Sequence, residues 1–537
     1  MPSFETIKSF LPEMYIYGIA LITLFVPLVI SKLYYLSIKD PSKQSDWVDE
    51  TSSFLSYDFE ENVSLVKEEL GDSSDMVLRT FQLGDENLKT ALIFLKDIVD
   101  IEMINNNILQ PLMTDSPYND LQDYMDQIKN GLLPVSEMYE TDCVKTISIN
   151  MLQGNAVLLF QGTDHAFILK TPKSKTRSLE EPVTETLVRG PRLGFNEDIG
   201  ENIALLRKAG VNTDLRLISS QVGSRFNKEV VISFVEGIAD PTLVESVKRK
   251  IQNIMIDNVP ESGIIEQLIE DQPLSFFPQV QNTERPDKVI AAMAEGRVAI
   301  LLDGTPFALI VPVTLSMFLQ SPEDYYHRSI SATLNRWLRY IAAFLTVFST
   351  PLYIAFVSFH QGLLPTQLAM SIIGAREGMP FSIIIEALIM EVAIEILREA
   401  GLRLPKPIGQ AVGIVGGLVI GEAAVEAGIV SPATVIVVAL SAIASFSLPQ
   451  YSMSTSLRMI RFLAMFLSAS FGLFGVLVFF LFFCIHLVKL NSFNTPYLSP
   501  AIPYSTSDWK DLLVRMPIKM MNKRPKFLRP KNSIRKQ

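Results

Sequence analysis

The chain is 537 residues long, 48% hydrophobic, and carries a formal net charge of −10. That is too long for one domain and, with a positive mean hydropathy, too apolar for a purely soluble protein, so a membrane protein with a large soluble part is expected. Two cysteines, Cys143 and Cys484, and four scattered histidines form neither a disulfide framework nor a zinc-binding spacing.

The first apolar run, Met14 to Ile30, is close to membrane length although Pro27 interrupts it. It lacks the basic start and small-residue cleavage site of a signal peptide, so residues 1–41 are expected to hold a retained anchor. Lys32, Lys39 and Lys43 follow it and place the next region in the cytoplasm.

Residues 42–324 read as a cytoplasmic α/β region. Leu88 to Met113 has helix-like apolar spacing, interrupted near its end by Pro111. Further on, GNAVLLFQGTDHAFIL from Gly154 and GRVAILLDGTPFALIV from Gly296 match in pattern. The pairs Gly154/Gly296, Gly162/Gly304, Thr163/Thr305, Ala166/Ala308 and Ile168/Ile310 coincide. Each stretch reads as two strands joined by a turn at Gly-Thr. Two subdomains are therefore expected, each built around such a hairpin.

Residues 325–490 are expected to be transmembrane, with spans at about Leu338 to Phe359, Ile408 to Ile429, Pro432 to Leu448 and Ile460 to Val488. Between the first two, Phe381 to Leu404 puts Glu391, Glu395 and Glu399 on one face of an apolar helix. Residues 491–537 form a basic tail with ten Lys or Arg from Lys510 to Lys536, against Asp508 and Asp511. This tail belongs in the cytoplasm and can touch anionic lipid headgroups. A soluble region and a tail on the same side require an even number of crossings, which four spans supply if the glutamate-striped helix lies along an interface. The expected fold class is an α/β soluble N-terminal region of two subdomains followed by an α-helical transmembrane bundle.

The span IGQAVGIVGGLVIGEAAVEAGIV, Ile408 to Val430, combines glycines with two carboxylates. Gly409, Gly413, Gly417 and Gly421 recur every four residues and fall within about 120° on a helix, a strip that lets another helix approach closely. Ala411, Val415, Leu418, Glu422 and Glu426 lie roughly opposite. A carboxylate inside a span is costly unless it faces protein or water. Around an oligomer axis, Val415 and Leu418 would form an apolar constriction, and Glu422 and Glu426 an acidic mouth that favours cations. Periodicity alone equally allows the glycines to pack a bundle while the glutamates reach the headgroups.

No nucleophile with a base, no metal ligands and no cofactor motif stand at recognised spacing, so no catalytic or metal residues are expected, and no nucleic acid partner. A transporter would favour paired repeats of spans, whereas the repeat found here lies in the soluble region.

Five stretches carry a family resemblance: RSLEEPVTETLVRGPRLGFNEDIGENIALLR from Arg177, FPQVQNTERPDKV from Phe277, EGRVAILLDGTPFALIVPV from Glu295, SPEDYYHR from Ser321, and REAGLRLPKPIGQAVGIVGGLVIGEAAVEAGIVSP from Arg398. In this order they resemble the A subunits of the GerA family of spore germinant receptors. The resemblance implies a multi-pass subunit of a nutrient receptor in the inner membrane of a bacterial spore. It also implies a permease-like B subunit and a lipoprotein C subunit as partners, and assembly as pentamers into a ligand-gated cation channel lined by the glycine-ridge helix. A related A-type subunit that amplifies ion release without sensing nutrients is the alternative within the family. The motifs also read as polar turns and helix starts, with Arg189 and Arg192 placed to pair with Glu181, Glu185 or Glu197.

Overall fold

The computed structural model describes residues 53–71, 73–83, 88–114, 121–173, 181–404, 417, 420–505 and 508–535. The expected anchor, Met14 to Ile30, lies outside them.

The first subdomain holds β1 (Met76–Leu83), β2 (Leu88–Leu95), β3 (Met138–Thr141), β4 (Ala156–Phe160) and β5 (Ala166–Leu169), all antiparallel, in the order β1-β2-β4-β5-β3. Two helices, α1 (Phe59–Leu70) and α2 (Val144–Leu152), pack on one face against Ala91, Ile93, Val157 and Ile168. Residues 104–112 and 124–133 cover the other face, against Leu92, Phe94, Leu158 and Phe167. Both faces of the central strands are buried, so β4, β5 and most of β2 read as apolar runs rather than as alternation.

That double burial explains one misreading. Residues 88–95, expected to begin a helix, are β2, its last six positions buried. The helical part is confined to 101–113 and includes a π-helical stretch, Ile104–Leu109.

The second subdomain repeats the plan with β6 (Leu215–Val222), β7 (Lys228–Val235), β8 (Gln281–Thr283), β9 (Val298–Leu302) and β10 (Ala308–Val311), in the order β6-β7-β9-β10-β8. It carries α3 (Ile199–Ala209), α4 (Pro241–Gln252), α5 (Ser262–Ile269) and α6 (Pro286–Glu295). The pairs α3/α6 and α4/α5 cover opposite faces. The two stretches matched in the sequence are β4–β5 and β9–β10, in equivalent places, and their turn glycines Gly162 and Gly304 share φ +82°. This left-handed conformation favours glycine.

The duplication extends further than the hairpins. Asp58 caps α1 and Asp198 caps α3. One turn on, Asn62 and Asn202 are buried and fold back identically: Asn62 exchanges hydrogen bonds with the Ser56 backbone, and Asn202 with that of Asn196. The two subdomains join through Arg207, 1% exposed, whose guanidinium binds Asp75 at 2.9 and 3.0 Å.

Beyond the sheets lie α7 (Ser329–Ser358), α8 (Thr366–Ala375), α9 (Ile383–Arg403), α10 (Pro432–Phe446) and α11 (Tyr451–Lys489). Contacts fix their directions. α7 runs away from the second subdomain. α9 starts beside the far end of α7, where Glu386 and Tyr353 share Thr434, and ends nearer the sheets. α10 descends likewise, from Thr434 to Ser445, which Arg398 of α9 contacts at 3.1 Å.

α11 corrects the expected single span Ile460 to Val488. A straight helix of 39 residues would be about 58 Å long, yet both its ends touch one short stretch of the second subdomain. Gln450 donates to Asn282 O at 3.0 Å, and Ser492 to Gln279 O at 2.7 Å. The helix reverses at Gly472 (φ 60°, ψ −140°), forming two antiparallel arms. The stretch expected as one span is thus the greater part of two antiparallel arms.

The tail packs on protein. Asp511 binds Arg336 of α7 at 2.8 Å and the Tyr325 hydroxyl at 2.6 Å, and Arg524 donates to Ala294 O at the end of α6 at 2.8 Å.

Candidate functional site

Apolar sequence makes these helices, but their interior is studded with charge. Near the far end, Glu386 is fully buried, accepts hydrogen bonds from Ser431 N and the Thr434 hydroxyl at 3.0 Å each, and lies 3.1 Å from Arg376 Nη2. Nearer the sheets, Glu391 accepts from Thr350 at 3.0 Å and Ser441 at 3.2 Å, and pairs with Arg461 at 2.5 Å. Below it, Glu395 reaches both Arg398 and Arg458 at 3.4 Å. Ser441 and Ser445 on α10 are small enough to leave room for these groups and polar enough to bond them. A charge buried in apolar surroundings persists only when it is paired and hydrogen-bonded, as these are.

The glutamates expected on one face of α9 differ widely in burial. Their side chains pass from 0% exposed at Glu391 to 42% at Glu395 and 61% at Glu399, so the helix enters the bundle and emerges only at its last turns. The cations responsible, Arg458 and Arg461, were missed in the sequence. The signal was present, because two arginines three apart in SLRMIRFLAMF mark an inward face on an otherwise apolar helix.

Of the glycine-ridge residues, Gly409, Ala411, Gly413, Val415 and Leu418 lie outside the described residues. Residues 420–426 are helical and lead to Ser431, the cap of α10. Gly421 is buried, and a Cβ there would lie 3.4 Å from Val435 Cγ1 of α10. Gly417 is exposed and faces open space within 4 Å. Glu422 and Glu426 are exposed and make no ion pair among the described residues. One side of this segment thus meets α10 while both carboxylates lie open.

The TERPD stretch is structural. Arg285, 1% exposed, donates to Pro191 O at 2.8 Å and pairs with Asp287 at 2.9 Å, while Glu284 accepts from Val183 N and Thr184 N. Lys288 pairs with Glu185 at 2.6 Å and Arg192 with Glu181 at 3.2 Å. These contacts wrap residues 181–192 around the start of α6. Lys288 also reaches Gln450 at 3.3 Å, linking this knot to the first turn of α11.

Beside the knot, a cavity of about 410 Å³ is lined by Gln281, Asp287, Glu295, Arg297, Tyr326 and Arg535. Burial raises the Glu295 carboxyl above its usual range, against the pull of Arg297 and Arg535. Among the described residues, no group of three or more His, Cys, Asp or Glu is placed to hold a metal ion.

The sequence model of the family described as Bacillus/Clostridium GerA spore germination protein matches residues 64–527. Spore germination protein A1 of Bacillus subtilis (strain 168) is 44% identical over 470 residues, 88% of this chain and 96% of that one. Spore germination protein GerLA of Bacillus cereus is 42% identical over 87% of this chain and 95% of that protein. Among solved structures, the N-terminal domain of the A subunit of the Bacillus megaterium spore germinant receptor GerK3 is 34% identical, with a TM-score of 0.39, and matches over 49% of this chain and 97% of that one.

Proposed function

Because the chain belongs to the Bacillus/Clostridium GerA family of spore germination proteins, we propose that it is the A subunit of a germinant receptor. Copies of it assemble, as a pentamer, into a nutrient-gated cation channel in the inner membrane of the bacterial spore. A permease-like B subunit and a lipoprotein C subunit complete the receptor. The observation that carries the subunit role is the near full-length match, 88% of this chain against 96% of spore germination protein A1.

One feature supports the channel. Glu422 and Glu426 stand open beside a segment whose other side packs on α10, which is how a pore-lining helix presents acids to a shared axis.

Cation flux from proteoliposomes, together with germination of spores carrying the same variants, tests the reading. Leu418→Ala should raise flux without nutrient, and Glu426→Gln should lower it while leaving the constriction in place. Parental flux in both variants would end the channel reading while leaving the subunit role intact. Flux that never responds to nutrient, in spores with B and C present, would point to the accessory amplifying subunit instead.

A further inference from the structure

The loop between α5 and β8 is firmly built but ends in an exposed apolar tip. Gln279 Oε1 accepts from the Asp271 and Gln272 backbone at 3.1 and 3.0 Å, and Gln279 N donates to Glu270 at 3.0 Å. Phe277, 2% exposed, packs against Phe483 and Tyr497. On this rigid base Leu274 is 96% exposed and Phe276 59%.

Their position in the fold identifies what covers them. The loop is fastened to the end of the second arm of α11: Ser275 Oγ lies 2.9 Å from His486 Nε2, and Phe277 stacks near both Phe483 and His486. That arm exposes Phe474, Leu477, Leu481, Ile485 and Val488, spaced three and four apart and so forming a single outward stripe. The loop joins the arm where the stripe runs out, and Lys489 follows at once. A helix that spans a bilayer gives way there to the interface between acyl chains and headgroups, where aromatic and apolar side chains of neighbouring segments settle.

We infer that Leu274 and Phe276 continue the lipid-facing stripe of α11 past the end of the helix and insert into the bilayer interface, so that the second subdomain rests on the membrane through its own loop. The inference depends on the reading of α11 as a membrane hairpin. Its partner is the lipid surface itself, because the stripe that it continues is apolar along its whole length and the loop carries no free basic side chain at its tip.

Full-length protein in which Cys143→Ser and Cys484→Ser leave no native thiol provides the test. Single cysteines at Leu274→Cys, Phe276→Cys, Phe482→Cys on the exposed side of α11, and Ile149→Cys on α2 each receive an environment-sensitive fluorophore. The variants are reconstituted into phosphatidylcholine/phosphatidylglycerol vesicles, with or without lipids brominated close to the headgroup. Labels at 274 and 276 should be quenched at least twofold more than the label at 149. If 482 is quenched while 274 and 276 behave like 149, the loop does not touch lipid and the inference falls, although the hairpin stands. Shielding of 274 and 276 from an aqueous quencher without quenching by brominated lipid would assign the tip to a protein partner and overturn it as well. Absence of quenching at 482 would remove the membrane hairpin, and the inference with it.

Discussion

Glu391 of α9 and Arg461 of α11 face each other at 2.5 Å with side chains 0% and 2% exposed. Ser441 of α10 bonds both, so three helices meet at one ion pair.

Removing one partner strands the other charge, which costs about 3–5 kcal/mol in a buried pair. Glu391→Met and Arg461→Met should each lower the midpoint of unfolding in detergent sharply. The double variant Glu391→Met/Arg461→Met should lose much less than the sum, and an additive result would show that the two do not act as a pair.

Gly472 turns α11 back on itself in a conformation that is essentially restricted to glycine. A Cβ there would lie 2.9 Å from His360 Cε1 and 3.0 Å from the Phe359 side chain. Gly472→Ala should therefore destabilise by about 1–3 kcal/mol from backbone strain, with a further steric loss that Phe359→Ala relieves. Thermal unfolding of the two single variants and the double variant separates the terms.

In α5, burial with Glu270 and Glu261 nearby raises the Glu266 carboxyl to about 8. The folded protein thus holds this proton more tightly than the unfolded chain, whose carboxyl titrates near 4.5. The stability associated with the protonated form is complete below pH 4.5 and is lost as pH rises through 8. Glu266→Gln should match the parent at pH 4 and exceed it above pH 8, by about 2 kcal/mol after allowance for the solvent that still reaches the side chain. Denaturant titrations at the two pH values check the sign, and a Gln variant that loses stability above pH 8 would contradict it.

Gly417 and Gly421 separate packing between copies from packing within one. A side chain at Gly417 meets nothing within 4 Å, whereas at Gly421 it meets Val435. Gly417→Leu should leave the unfolding midpoint of the monomer unchanged while removing higher bands from a crosslinking ladder, if that open side is where copies meet. Gly421→Leu should lower the midpoint itself.

What could be read in advance depended on which features have local signatures. The Gly-Thr hairpins were legible because a turn needing positive φ recruits glycine and the flanking strands are short and apolar. The matching Asp58/Asn62 and Asp198/Asn202 starts of α1 and α3 carry the same repeat, but only two residues mark each copy, too few to stand out beside stronger patterns. β2 reads like a helix in sequence because a strand buried on both faces shows no alternation. The reversal at Gly472 was hidden by composition, since an unbroken apolar run looks the same whether it continues or turns back. The Glu391–Arg461 pair joins positions 70 residues apart, beyond the reach of any local period. Of the glycine ridge, the described part has Gly421 against α10 and Gly417, Glu422 and Glu426 open.

The reversal at Gly472 also has a consequence for biogenesis. A chain whose last helical segment folds back can enter a bilayer as a closed loop, tip first, with both ends held at the side of synthesis. The leading edge, Ser468 to Phe474, has no ionisable side chain, so nothing charged needs to be carried across at the tip. On the proposed reading of α11 as a membrane hairpin, the ten cations of the tail would stay on the side of synthesis, free to fold against α6 and α7.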